Sequence, residues 1–364
     1  MDAHAATIAV AVADDDGSVT AEGTIVNDAA AVRKLVTRLG AGGARLKVAY
    51  EAGPTGYALH RQLTRLGIEC VVVAPSLIPK RPGDRVKTDA RDAVTLARLL
   101  RSGDLTAVWV PDEAHEALRN LVRARADAKV DELRARHRLS KFLLRQGLRP
   151  PAGVRAWSAK HTTWLNHVDW AHPADRVVFD DYHATVRAAT ERVRRLESAL
   201  LQHATDSAQV RVIAALQAFH GIGFLSAVTI VAEVGDLRRF ATAPQLMAYA
   251  GLVPSEYSSG ATRHRGHITK TGNGHLRHVL GEAAHHARHA PAARTAAKQR
   301  RDGVPEPIVE LARRTHERLH HRYRHLAGRI GRPKALTAVS RELAGFIWAL
   351  GQCLREPSTS PMRS

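Results

Sequence analysis

Four carboxylates among the first hundred residues have the types and spacing of a divalent-metal site. Asp89 and Asp92 lie three residues apart in a segment that predicts a helix, so both face one side of it. Glu51 ends a strand predicted to be buried, where packing gives a carboxylate no role, and Asp2 lies beside the first strand. Strand ends and a following helix can converge at one edge of a sheet, and four carboxylates gathered there repel one another unless cations hold them.

Mg²⁺ suits a site built from oxygen ligands, and two such ions can activate a nucleophile and stabilise a leaving oxygen in phosphodiester chemistry. Taken singly, each of the four acids is also explained as a helix cap or a surface charge. We therefore expect a Mg²⁺ site only if the fold brings Asp2, Glu51, Asp89 and Asp92 together.

A second chemical candidate lies in residues 257–281, which hold four Lys or Arg, four His and no acid. The glycines of this stretch predict a flexible loop that suits phosphate. Either Ser258 or Ser259 could attack a phosphorus there, the developing negative charge being eased by neighbouring cations. A Ser beside a Gly is also an ordinary turn residue. The cations predicted to contact nucleic acid are Arg263, Arg265, Lys270 and Arg277.

Two further motifs each allow two interpretations. Gly221 and Gly223 precede an apolar helical run and predict a helix-hairpin-helix element that binds phosphate through backbone N–H groups, although an ordinary helix–helix turn fits the same pattern. Residues 316–320 read HERLH, the pattern of a zinc protease. Surrounding arginines would oppose a dication, so a basic helix facing nucleic acid is the favoured interpretation of that segment.

Composition sets the limits within which these sites must work. The 364 residues carry a net charge of +19, and 45% are hydrophobic, which excludes wholesale disorder and favours a polyanionic partner. The two cysteines exclude a disulfide framework and a four-Cys zinc site. Without a signal peptide or a long apolar run, we expect a cytoplasmic protein with no membrane segment, associated with the nucleoid when bound to DNA.

The helices and strands predicted from the sequence divide the chain into four regions. Residues 1–111 show three strands followed by helix–strand–helix alternation, typical of an α/β layer with a mixed sheet. Residues 112–205 predict a helical arm, either an antiparallel coiled-coil hairpin or two ordinary packed helices. Residues 206–300 predict a mostly α-helical domain that carries the serines, and residues 301–364 a basic helical extension and tail.

The blocks that hold the candidate residues also resemble a known family. DAH at 2–4, YEAGPTG at 50–56 and KTDARDA at 87–93 resemble the D, E and DxxD blocks of the DEDD-type transposases of the insertion-sequence 110/116/902 group. YAGLVP at 249–254, SSG at 258–260 and TKTGN at 269–273 resemble the C-terminal block of the same group. The blocks occur in the family's order along nearly the whole chain.

The resemblance implies a resolvase-like RNase H fold whose four acids hold Mg²⁺, and it implies that Ser259 forms a covalent serine–DNA intermediate. It also implies DNA cleavage and strand exchange of an insertion sequence, guided by a structured RNA that the element encodes. Family members usually have several strand residues before the first Asp, whereas only Met1 precedes Asp2 here. Since neither half holds every part of the chemistry, we expect a homo-oligomer, dimer or tetramer.

Two alternatives stay open from the sequence. One is a hydrolytic RNase H-fold nuclease or junction resolvase, which would use water and leave Ser259 idle. The other is a non-catalytic nucleic-acid-binding protein derived from a transposase.

Overall fold

The computed structural model describes residues 1–79, 88–205, 209–259, 262–291 and 301–354. The chain divides into two compact units, Met1–Pro111 and Asp112–Ser364. The first is α/β and the second is mostly helical, as the sequence predicts. The strands of the first unit form an antiparallel sheet and a separate parallel pair, rather than the single mixed sheet that the sequence predicts. No helix in the described ranges is both long and apolar enough to cross a bilayer.

The first unit begins with three antiparallel strands and continues with a parallel pair. Its strands are β1 Asp2–Ala3, β2 Thr7–Ala13, β3 Val19–Val26, β4 Lys47–Glu51 and β5 Glu69–Val73. Its helices are α1 Ala29–Leu39, α2 Ala58–Arg65 and α3 Asp89–Ser102. The order is β3-β2-β1 in one sheet and β4-β5 in the other, and the Met1 amino group joins them by donating to the Ala49 carbonyl at 2.8 Å.

Strand β2 lies at the centre of this unit. Ile8, Ala9 and Val10 are all buried, and successive residues of a strand face opposite sides. Ile8 and Val10 pack with Val32 and Leu35 of α1 in one apolar cluster, which leaves Ala9 for the face on which α3 lies. The sheet is therefore covered on both faces, and α3 is held against the strand that pairs with β1.

Local signals set where these elements begin and end. The sequence predicts Asn27 or Asp28 as the cap of α1, and Asp28 caps it by accepting from Ala31 N. The helix predicted from about Thr88 is α3, which Thr88 caps by accepting from Arg91 N. Two predictions were wrong. Gly53 and Pro54 predict a helix from about Thr55, but α2 begins at Ala58, because residues 53–56 form a turn. The apolar residues at 105–110 predict a last strand, but the structure has one isolated bridge there, between Ala107 and Val73.

The second unit is built on a long helical arm. Its helices are α4 Glu113–Arg145, α5 Ala159–Asn166, α6 Pro173–Thr205, α7 Val210–Gln217, α8 Phe224–Val234, α9 Ala243–Tyr249, α10 Gly274–Ala284, α11 Glu306–Ile330 and α12 Arg332–Cys353. Strands β6 Pro254–Ser259 and β7 Thr262–Ile268 form an antiparallel hairpin between α9 and α10.

Helices α4 and α6 run antiparallel along their whole length. Near the core Arg125 pairs with Glu197, and at the far end Gln146 donates to Asp175. The connection between the helices carries α5. The sequence predicts the second arm helix from about residue 184, and α6 begins eleven residues earlier, at Pro173. At 1.5 Å per residue, the far end lies about 35 Å along the helix from Val122, which packs in the C-terminal core.

Helix α8 is the centre of the C-terminal core. Seven of its eleven residues are buried, and α4, α7 and α10 pack around it. One contact between the arm and α8 is made at the carbonyl of Ala232, which accepts from His115 Nε2 at 2.9 Å and Arg119 Nε at 3.0 Å. Burial lowers the pKa of His115 below its usual 6.5, although the bond to Ala232 acts in the opposite direction.

The lowered pKa of His115 predicts a stability that falls with acidity. Above pH 6.5 His115 is neutral in both states, while below it the unfolded chain takes up the proton more readily, so the free energy of unfolding decreases. We expect the stability difference between the wild type and His115→Gln to narrow from pH 7.5 to pH 5 in urea titrations followed by tryptophan fluorescence. A difference that stays constant would contradict this, and His137→Gln, an exposed position on the same helix, is the control.

Candidate functional site

The structure gathers three candidate metal ligands in the first unit. Ligand atoms of Asp2, His4 and Asp89 all lie within 4.8 Å of one another. His4 Nε2 is 3.4 Å from Asp2 Oδ2 and 3.5 Å from Asp89 Oδ1, so the imidazole lies between the two carboxylates. Among the described residues this is the one group of three or more His, Cys, Asp or Glu that meets this distance.

Backbone contacts fix the two carboxylates. Asp2 pairs with Ala9 across β1 and β2, and the burial of Met1 keeps it against the sheet. Asp89 is the first residue of α3, where the positive end of the helix dipole favours a negative charge. The side chain of Asp2 is only 14% exposed, whereas that of Asp89 is 59% exposed, so the group opens to solvent on the side of the helix.

The other two predicted acids lie outside this group. Glu51 is the last residue of β4, beside β5, where the next residue Ala52 donates its N–H to Val73 O at 2.8 Å. Asp92 lies in the first turn of α3, and its N–H donates to Thr88 O. The fold thus brings Asp2 to Asp89 and adds His4, which the sequence analysis missed. The available signal was the i, i+2 spacing of Asp2 and His4, which puts both side chains on one side of an extended chain.

The two candidate serines lie at the end of a hairpin in the second unit. Ser259 and Thr262 form the last described pair of β6 and β7, and Gly260 and Ala261, which lie between them in the sequence, are outside the described residues. The flexible loop predicted for residues 257–281 was therefore wrong, since these residues form the end of a hairpin and most of α10.

Strand alternation separates the two serines. Ser258 Oγ donates to Glu256 Oε1 at 3.0 Å, on the face that residues 256 and 258 share. Ser259 lies on the opposite face with Tyr257, which is 87% exposed, and the register adds His264 to that face. Within the described part of the chain, no hydrogen bond engages the Ser259 side chain.

The base of the hairpin is tightly packed. Thr269 N donates to Val253 O at 2.9 Å, and Lys270 N donates to Gly251 O at 3.1 Å. Gly251 has φ +65°, and a Cβ placed there would lie 2.2 Å from Thr271 O. Gly272 has φ +90°, and its Cβ would lie 2.4 Å from Tyr249 O. Both positions require glycine, because a side chain would push the two ends of the hairpin apart.

A buried carboxylate holds this base to the core. Glu233 of α8 has no exposed side-chain surface, and it accepts two parallel bonds of 2.9 Å from Arg123. Asn273 Nδ2 donates to Glu233 Oε2 at 2.7 Å, while Asn273 Oδ1 caps α10 by accepting from Leu276 N. The Tyr249 hydroxyl donates to the Glu233 carbonyl at 2.9 Å. Glu233 therefore links the arm and the start of α10 through its side chain, and the end of α9 through its backbone carbonyl.

Glu233 remains ionised in this position. Burial alone would raise its pKa, but hydrogen bonds from Arg123 and Asn273, with the nearby charge of Arg119, hold the pKa below its usual 4.5. Removing a partner from such a group is costly, because the charge would stay buried without compensation.

The residues predicted to bind nucleic acid differ in whether they pack on the core or face solvent. Gly221 backs onto the core, where a Cβ would lie 2.6 Å from Ala283 O, whereas Gly223 faces open space at the start of α8. Lys270 is exposed beside the hairpin, and the Arg277 guanidinium donates to Ala250 O at 2.9 Å. Arg263 and Arg265 lie on β7, but their side chains are outside the described residues.

The HERLH segment forms structural contacts on α11. His316 Nε2 lies 3.2 Å from His289 O, and His320 Nδ1 lies 2.9 Å from Ala287 O. Glu317 accepts from Arg313 at 2.5 Å. The bonded ring nitrogens of His316 and His320 each face a backbone carbonyl, so these nitrogens do not point toward a shared metal position.

Comparisons with known proteins cover both halves of the chain. A transposase model of the IS110 DEDD type matches residues 1–146, and the model of the IS116/IS110/IS902 transposase family matches residues 213–299. A Sinorhizobium fredii protein described as "Putative transposase y4qE" is 42% identical over 97% of this chain and 87% of its own length. The transposase for insertion sequence element IS1533 of Leptospira borgpetersenii is 30% identical over 90% of this chain and 95% of its own.

This chain belongs to the IS116/IS110/IS902 transposase family. Membership in a transposase family implies a DNA-processing enzyme with DNA as its partner. The range matched by the DEDD model contains all four predicted acids, and the range matched by the second model contains Ser259. Residues 147–212 lie between the two matched ranges.

The Glu233 network predicts a large loss of stability on neutral substitution. We expect Glu233→Gln to lower the free energy of unfolding by about 2–4 kcal/mol at pH 7, because charge-assisted bonds to a fully buried group are lost. Since the folded pKa is depressed, the advantage of the wild type exists above pH 4.5 and shrinks as the pH falls below it.

Urea unfolding at pH 7 and pH 4 measures both effects. The control is Glu197→Gln, which breaks the more exposed arm pair with Arg125 and should cost under about 1 kcal/mol. If the two variants lose equal free energies of unfolding, the burial of Glu233 does not strengthen its bonds and the prediction is wrong.

Proposed function

We propose that this protein is a DNA transposase that cleaves the ends of an insertion sequence and exchanges strands by phosphoryl transfer. The observation that carries the proposal is the placement of Ser259 at the exposed end of a hairpin whose base is fixed by Gly251, Gly272 and the Glu233 network. A nucleophile that must reach a phosphodiester inside a duplex needs exposure and a rigid base together.

The first unit supports an RNase H-like fold. Its antiparallel strands β1–β3 adjoin the parallel pair β4–β5 through Met1 and Ala49, and helices cover both faces. The acids occupy a strand start, a strand end and the first turn of α3. Carboxylates at these positions can bind a metal at the edge of the sheet without entering its apolar core.

Asp2 and Asp89 fit a divalent cation, because two carboxylates within 4.8 Å of each other offer hard oxygen ligands. We propose Mg²⁺, with Glu51 and Asp92 completing the ligand set by side-chain movement. The imidazole of His4 widens the range to Mn²⁺, since nitrogen ligands suit that ion better. The cation would supply Lewis-acid stabilisation of the phosphoryl oxygens.

Ser259 is the proposed nucleophile. Its Oγ forms a bond to phosphorus, its hydroxyl proton passes to a base, and the bond from phosphorus to one deoxyribose oxygen breaks, with that oxygen taking up a proton. Ser258 is less suited, because its hydroxyl is engaged by Glu256. His264 lies on the same face of the hairpin as Ser259 and offers an imidazole for proton transfer.

The remaining parts of the proposal concern partners and organisation. Backbone groups at Gly221 and Gly223, in a helix-hairpin-helix element, would hold DNA phosphates together with Lys270, Arg277 and the β7 arginines. We further propose a structured guide RNA, a homo-oligomer, and the division of the chain at residues 111, 205 and 300 into RNase H-like domain, arm, serine domain and basic extension.

The serine assignment predicts the loss of a covalent adduct. With DNA that carries the ends of the element encoding this chain, and RNA transcribed from that element, Ser259→Ala should reduce strand cleavage by on the order of 10³-fold or more. It should also abolish the protein–DNA adduct seen on denaturing gels. The neighbouring Ser258→Ala is the matched control and should keep both. Cleavage by Ser259→Ala without an adduct would indicate a hydrolytic nuclease instead.

The metal assignment predicts a binding defect that is independent of activity. We expect Asp89→Asn to weaken Mn²⁺ binding on the order of tenfold or more, because it removes one of two close carboxylates. Titration calorimetry of the full chain measures the affinity. Asp104→Asn, which changes an acid of the same unit outside the group, should bind like the wild type. Equal affinity in the two variants would refute the site.

A further inference from the structure

The far end of the helical arm carries an unusual balance of charge. We call residues 137–172 the arm tip; they include the end of α4, helix α5 and the connections on either side. The arm tip has six Lys or Arg and one acid, Asp169. The six cations are Arg138, Lys141, Arg145, Arg149, Arg155 and Lys160, and all of them are exposed.

The arm tip differs from the middle of the arm in how its cations are used. In the middle, Arg125 pairs with Glu197, Arg192 with Asp131, and Arg136 with Glu132. At the tip, none of the six cations forms an ion pair within the described ranges. Six like charges with a single acid in one segment of 36 residues repel one another, so this arrangement lowers stability unless a polyanion lies against it.

An aromatic cluster gives the arm tip a fixed shape. Phe142 stacks on Trp170 with ring centroids 5.4 Å apart, and Trp170 contacts Phe179 at 5.0 Å. Leu165 of α5 is buried in the same cluster. Because α5 and its flanking loops pack on this core, the cations stand on a rigid support rather than on free chain.

We propose that the arm tip is a binding surface for the phosphate backbone of duplex DNA. The cations are spread over a helix end, a loop and a second helix, which suits a row of phosphates better than a single small anion. The surface lies about 35 Å along the arm from the C-terminal core. It would therefore contact DNA at a place distant from that core. Most of it falls in residues 147–212, between the two matched family ranges.

This inference rests on the proposed function for the identity of the partner, and salt-dependent binding tests it. Each phosphate contact contributes about 0.9 to the slope of log affinity against log salt concentration on duplex DNA. The triple variant Arg149→Gln, Arg155→Gln, Lys160→Gln should therefore lose about 2.7 of that slope and bind a 30-base-pair duplex on the order of a hundredfold more weakly at 150 mM NaCl.

The control is a second triple variant on the same arm, with the same change in net charge. Arg187→Gln, Arg194→Gln, Arg195→Gln changes exposed cations of α6 outside the arm tip and should keep the wild-type slope. Fluorescence anisotropy of the full chain measures binding, and circular dichroism with urea unfolding confirms that both variants fold. A parallel titration with an RNA hairpin shows whether the tip variant loses affinity for duplex DNA or only for RNA.

The outcomes separate this inference from the proposed function. A slope lost in the tip variant alone supports the arm tip as a DNA-binding surface. Equal behaviour of the two triple variants, or a loss confined to the RNA hairpin, overturns it while leaving the Ser259 chemistry standing. A wild-type chain that does not bind duplex DNA at all would instead overturn the proposed function.

Discussion

The organisation of the C-terminal unit depends on one buried negative charge. Glu233 lies in an almost wholly apolar helix, α8, where an unpaired carboxylate would be very costly. Its partners come from elements far apart in sequence, Arg123 on the arm and Asn273 at the start of α10. The core is therefore complete only when the arm and the hairpin base are both in place, which makes their relative position a condition of folding.

This constraint explains how the exposed end of the hairpin can be held in a fixed position. The hairpin β6–β7 pairs only with itself, and a two-stranded hairpin is marginal in water unless something else fixes it. Here the fixing occurs at the base, where Gly251 and Gly272 allow close backbone contact and Tyr249 bonds to the Glu233 carbonyl. The hairpin is therefore fixed at its base, while the described residues at its other end are exposed.

Sequence reasoning reached the parts governed by local rules. The helix starts predicted near Asp28, Thr88 and Asp112 are confirmed, and in the structure each of these side chains accepts from the N–H three residues on. The hairpin was misread as a loop because its exposed strands bury no apolar face, so their sequence has no alternation to detect. Glu233 looked like one polar residue in an apolar helix. Its partners, like the approach of Asp89 to Asp2, are set by long-range packing that no local pattern records.

The alternation of β6 has a consequence for the choice between adjacent serines. Ser258 and Ser259 differ by one residue, so a slip of one position in the pairing of β6 with β7 would exchange the faces on which they lie. The irregular pairing between Pro254 and Glu256, with the Ser255 hydroxyl bonded to His267 O, opposes such a slip. Which serine is presented is thus decided by strand register several residues away, and the SSG triplet alone does not encode it.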